Sequence, residues 1–100
     1  MTSRAAQASV ALRAREFLYE PKAVTAPPGA VVFVVRNEGA IEHNFVLEDA
    51  AGKKMVEIAV IEPGATAEVP ATLSPGAYTI VCTLPGHRQA GMVAALKVAQ

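Results

Sequence analysis

The sequence predicts an all-β fold, a Greek-key β-sandwich of about seven to eight antiparallel strands. Three observations carry this. Short runs rich in Val, Ile and Thr alternate apolar with polar residues, the period of a half-buried strand. Gly and Pro turn signals separate these runs at roughly eight- to twelve-residue intervals. The chain has 100 residues and is 52% hydrophobic, enough for a single domain with one modest core.

Taken in order, residues 1–7 carry little pattern and read as a flexible N-terminal segment, leaving 8–100 as the domain. Residues 9–16 have good helix formers by propensity. Yet Val10, Leu12 and Ala14 alternate with Ala11, Arg13 and Arg15, and every later segment reads as β, so a strand is expected. Pro21 limits any regular element through Phe17, Leu18 and Tyr19. Residues 23–26 form a short extended piece before the turn signal Pro27-Pro28-Gly29.

The β-branched run 31–35 reads as a strand buried on both faces or nearly so, and Asn37-Glu38-Gly39 breaks it. Residues 43–48 alternate as the next strand. A polar turn around Gly52 leads to a strand over 55–61, stopped by Pro63-Gly64. Residues 66–73 carry Pro70, which suits an edge strand or an irregular one. After the turn Ser74-Pro75-Gly76, residues 77–83 read as a strong strand and 92–99 as the last.

Composition excludes several function classes. Formal net charge is zero, so nothing favours a nucleic-acid phosphate backbone. One cysteine rules out an internal disulfide. The strongly apolar run 30–35 is far too short to span a bilayer, and the first nine residues lack a signal-peptide core.

The chemistry concentrates in Cys82-Thr83-Leu84-Pro85-Gly86-His87-Arg88-Gln89-Ala90-Gly91-Met92. Taken alone, each candidate has a bland reading. A lone Cys is more often a small buried hydrophobe, a Met at a strand start is more often core filler, and a His after Pro-Gly is more often a surface residue. The conjunction Cys-x4-His-x4-Met is rare by chance, and His43 supplies a second imidazole at a strand edge. Two imidazoles, one thiolate and one weak thioether form the donor set of a blue-copper electron-transfer site.

On His43-Asn44-Phe45 and the 82–92 stretch, the chain resembles the cupredoxins, the small blue-copper proteins related to plastocyanin and azurin. The likeness extends to Glu16-Phe17, Glu20-Pro21, Pro28-Gly29 and the strand ending at Asn37, so it covers nearly the whole chain. It implies one type 1 copper ion, with His43, Cys82 and His87 as strong ligands and Met92 as the axial one. It also implies that Asn44 and Thr83 join the two ligand segments by hydrogen bonds. The amides of Asn44 and Leu84 are expected to aim at the Cys82 sulfur.

In that family the second His shows its ring edge at an apolar surface. Carried over, His87 is the electron port, with Leu84, Pro85, Gly86, Gly91 and Ala40 as candidates for the docking rim. The implied protein is a monomeric electron carrier. Its partner is a redox protein such as a cytochrome or a terminal oxidase or reductase. The implied setting is extracytoplasmic, periplasm or cell surface, with any leader or anchor outside this chain.

Alternatives are a copper-binding domain of a larger oxidase or reductase assembly, or a copper delivery protein. Both His residues are consumed by the one site, which argues against a second, catalytic copper within the chain. Three scattered Met residues argue against a methionine-rich transfer site. A metal-free adhesion module with Cys82 in its core is the remaining reading.

Overall fold

The computed structural model describes residues 8–99, so the expectation for 1–7 lies outside the described residues. Nine strands follow in chain order: β1 (Ala8–Arg15), β2 (Leu18–Glu20), β3 (Ala23–Ala26), β4 (Gly29–Asn37), β5 (His43–Glu48), β6 (Lys54–Ile61), β7 (Thr66–Leu73), β8 (Gly76–Val81) and β9 (Val93–Val98). They form a four-stranded sheet, β2-β1-β4-β7, and a five-stranded sheet, β3-β9-β8-β5-β6. The chain passes between the sheets repeatedly, giving the expected sandwich.

Two expectations need correction. The sheets are mixed, because β1 pairs with β4 and β3 with β9 in parallel. Each of those pairs is joined through a crossing to the other sheet, which parallel pairing requires and local alternation does not reveal. Among the described residues the strand count is nine, because β2 pairs with β1 despite Pro21. Three residues suffice there: Tyr19 points inward, is fully buried, and anchors the short strand.

The strand over residues 9–16 is correct, with Val10, Leu12 and Ala14 inward as the alternation requires. In β4, Val31, Phe33 and Val35 are fully buried while Val32 and Val34 are half-buried, so one face is core and the other is partly wet. Burying each such side chain contributes about 1.5–3 kcal/mol. Across the sandwich Phe33 meets Phe45 with ring centroids 5.2 Å apart. β7 lies at a sheet edge, where Pro70 leaves no needed donor unmet.

β5 departs furthest from its pattern. Residues 43–47 are all buried, although Asn44, Val46 and Glu48 alternate with Phe45 and Leu47. The 83–91 segment explains this. Thr83 bonds Asn44 and Arg88 bonds Glu48, residues on the same outward face, so the segment crosses that face and covers Val46 between them.

Topology then brings distant residues together. β5 and β8 are antiparallel neighbours, with Val46 opposite Val81. The start of β5 therefore lies beside the end of β8, and His43 comes to the same end of the sandwich as Cys82.

Candidate metal centre

Cys82 follows the last residue of β8, one step beyond the ladder. Its N–H still donates to the Met92 carbonyl at 3.2 Å, which closes the base of the loop between them. Inside the loop, Leu84-Pro85-Gly86-His87 is a β-turn. The His87 N–H donates to Leu84 O at 3.0 Å, and Gly86 has φ of 82°. Pro at the second position and a positive-φ Gly at the third are what a type II turn demands. The Met92 N–H then donates to His87 O at 3.1 Å, holding His87 and Met92 together across the loop. Gly91, at φ 105°, redirects the chain into β9.

Three donor atoms converge. One atom each from His43, Cys82 and His87 lies within 4.8 Å of the other two, and all three residues are buried. His43 Nδ1 is 3.3 Å from His87 Nδ1, and Cys82 Sγ is 3.3 Å from the same His87 atom. An ion about 2.0 Å from each nitrogen and about 2.3 Å from sulfur, in tetrahedral array, separates its donors by roughly 3.3–3.6 Å. The cluster fits that spacing. Its chemistry, one thiol and two imidazoles, suits copper. Met92 is fully buried against the same core.

The surrounding hydrogen bonds hold this geometry. Asn44 Nδ2 donates to Thr83 Oγ1 at 2.8 Å, and the Thr83 N–H donates to Asn44 Oδ1 at 2.8 Å. This reciprocal pair ties the two ligand segments together. The Tyr19 hydroxyl donates to the Asn44 carbonyl at 2.6 Å. Burial, with the nearby Cys82 adding to it, pushes the Tyr19 hydroxyl far above the ordinary phenol range, so it stays a donor. Leu84 packs half-buried against the core, and its carbonyl is committed to the His87 turn. The polar neighbour of the Cys82 sulfur is His87 Nδ1, at 3.3 Å.

Several residues near the site have contacts there that the sequence does not signal. Glu16, between β1 and β2, accepts from His43 Nε2 at 3.0 Å and from the Ala40 N–H at 3.1 and 3.0 Å. The hydrogen bond from Ala40, followed by that from His43, holds the Glu16 carboxyl below the usual carboxylate value. Phe17 sits beside it at φ 68°, and its ring stands edge-on to His87 with centroids 5.1 Å apart. Asn37 is fully buried. It donates to Ile41 O at 2.9 Å and to Ile61 O at 2.8 Å, and accepts from the Gly39 N–H at 2.8 Å. Only a break after β4 is legible at Asn37; its role as a hub requires contacts to β6.

Burial, followed by the nearby His43, holds His87 below the ordinary imidazole value, with Glu16 opposing. His87 is 9% exposed, against none for His43. Pro85, Gly86, Gly91 and Ala40 are exposed, and so is Phe17, at 42%, whose ring meets His87. Among the described residues no helix is long and apolar enough to cross a membrane.

Comparison with known proteins places the chain among copper-binding proteins. Two curated relatives are named copper-resistant cuproprotein CopI. The one from Rubrivivax gelatinosus is 34% identical over 93 residues, covering 75% of this chain and 56% of its own length. The one from Pseudomonas aeruginosa is 28% identical over 144 residues, covering 96% of this chain and 80% of its own length. The chain thus spans little more than half of the first relative.

Among solved structures, the dithionite-reduced auracyanin of Roseiflexus castenholzii superposes with a TM-score of 0.84 at 22% identity, covering 92% of this chain and 97% of that one. Auracyanin A of Chloroflexus aurantiacus, described as a blue copper protein, gives 0.81 at 21% identity, covering 92% and 98%. At such identities these establish the fold. The profile of the copper binding proteins of the plastocyanin/azurin family matches residues 6–99, and the chain therefore belongs to that family.

Proposed function

We propose that this protein is a one-electron carrier built on a single type 1 copper ion, with His43, Cys82 and His87 as the strong ligands and Met92 as the weak axial one. The observation that supports it most is the packed trio of two imidazole nitrogens and one thiol sulfur, buried at one end of the sandwich. Copper bound there supplies a Cu(II)/Cu(I) couple whose two states both accept this mixed donor set. The chain's own part is to hold the donors still. The Asn44–Thr83 pair, the loop closure at Cys82 and Met92 and the type II turn at His87 fix donor positions before metal arrives. A site that moves little between oxidation states exchanges electrons quickly.

His87 serves as the port. It is the most exposed of the three clustered residues and meets the exposed Phe17, and Pro85, Gly86, Gly91 and Ala40, also exposed, are the proposed rim. A small dry rim of this kind suits brief encounters with a redox protein such as a cytochrome or a terminal oxidase or reductase. No enzymatic step is assigned, because both histidines serve the one site. The resemblance supports a monomer in an extracytoplasmic setting.

The CopI relatives favour a second reading, in which this domain handles copper for resistance. One experiment separates the two. A mixture of the Cu(I) and Cu(II) forms is followed by NMR line broadening, with a Cu(I) chelator then added. Fast self-exchange with copper retained on reduction supports the carrier. Slow exchange, with copper surrendered to the chelator on reduction, would favour copper handling and contradict the carrier.

A further inference from the structure

The two-residue turn between β1 and β2 touches both imidazoles of the site. Arg15 pairs with Leu18, leaving Glu16 and Phe17 as the turn itself. Phe17 faces His87, and Glu16 reaches His43. The His43 contact fixes chemistry as well as position. An ionised carboxylate only accepts, so a 3.0 Å contact to Nε2 requires the proton to be on Nε2. The His43 lone pair is then on Nδ1, the atom that faces His87 Nδ1.

Space is reserved for this carboxylate. A Cβ built on Gly39 would overlap the Glu16 carboxylate and lie 3.1 Å from His43 Nε2. The Ala40 N–H holds both carboxylate oxygens from the same side. The His43 side chain is fully buried, whereas that of Glu16 is 37% exposed, so the carboxylate sits where the buried ring meets the surface. A carboxylate on the far nitrogen of a metal-bound imidazole makes that ring a stronger donor. It also adds fixed negative charge beside the ion, which favours Cu(II) over Cu(I).

We propose that Glu16 is a positioning residue of the copper site: its carboxylate fixes His43 with the proton on Nε2 and biases the site toward Cu(II). This rests on the reading of His43 as a ligand. The reduction itself moves one electron onto copper, and no proton leaves Glu16.

Two variants and two readouts test it at one neutral pH. Glu16→Gln keeps an acceptor for Nε2 but removes the charge; Glu16→Leu removes both. In the metal-free protein, the ring nitrogen shifts of His43 by ¹⁵N NMR are expected to show Nε2–H in wild type and Glu16→Gln. Glu16→Leu is expected to populate Nδ1–H. In the copper-loaded protein, Glu16→Gln is expected to shift the relative preference for Cu(I) over Cu(II) about tenfold upward, a rise of about 59 mV in reduction potential.

An unchanged potential in Glu16→Gln, or a His43 that stays Nε2-protonated in Glu16→Leu, would overturn the assignment. If wild type itself gives no blue band, the copper-site reading fails separately. The tautomer measurement then decides alone whether Glu16 fixes the ring.

Discussion

Cys82 and Met92 end the same loop, and the proposed copper site gives them opposite roles. A thiolate gives the site its colour, so Cys82→Ser is expected to abolish the intense visible band while leaving the fold. A surviving band in the visible spectrum would refute thiolate ligation. Met92 is a soft donor that favours Cu(I). Met92→Gln is expected to retain copper and lower the reduction potential; an unchanged potential in voltammetry would make Met92 core filler. His87 adds a pH dependence. Burial, with His43 beside it, depresses its folded pKa below the ordinary 6.5, so below that pH the unfolded chain binds more protons than the folded one. Its contribution to apoprotein stability is thus full above about 6.5 and lost as pH falls through the lowered folded value. Glu16, also depressed in the fold, contributes above its ordinary 4.5 and loses that contribution further down. Thermal melts of the metal-free protein are expected to show a falling midpoint below pH about 6.5, with a smaller early drop in His87→Gln. The convergence of His43, Cys82 and His87 was legible because donor type and motif can be read from sequence. Glu16, Phe17, Asn37 and Tyr19 were not, because each matters only through a partner on another strand.

Among the elements, the 82–92 loop carries the most information per residue. Its type II turn was readable from Pro85-Gly86, since Pro presets the negative φ of the second position and Gly accepts the positive φ of the third. Gly86→Ala places a side chain at φ 82° and is expected to cost about 1–2 kcal/mol, read from a denaturant midpoint. The seating of the loop across β5 was not readable. It depends on Arg88 Nη2, which donates to both Glu48 carboxylate oxygens at 2.9 Å from forty residues away. Arg88→Ala is expected to cost little stability, about 0.2–1 kcal/mol, because the pair is partly solvated. The β1–β2 turn is the strained counterpart. Phe17 at φ 68° costs of order 1–3 kcal/mol, and its ring meets His87. Alternation revealed the strands themselves, yet it is blind to direction, so the two parallel pairings and the three-residue β2 emerged only in the folded chain.

At the scale of the molecule, the sandwich exists to bring His43 across from one segment to Cys82 and His87 on another. The proposed docking rim is tested at the same scale. Leu84 packs inward, so the exposed Pro85 is the better place to probe it. Pro85→Glu is expected to slow electron exchange with a redox partner while leaving the visible spectrum nearly intact. Equal rates in stopped-flow would remove Pro85 from the rim. The central claim is that His43, Cys82, His87 and Met92 jointly hold one type 1 copper. Titration of the reduced metal-free protein with Cu(II), followed in the visible range, tests it most directly. An intense thiolate-to-copper band that saturates at one copper per chain is the result this account predicts. A colourless protein after copper binding would contradict it.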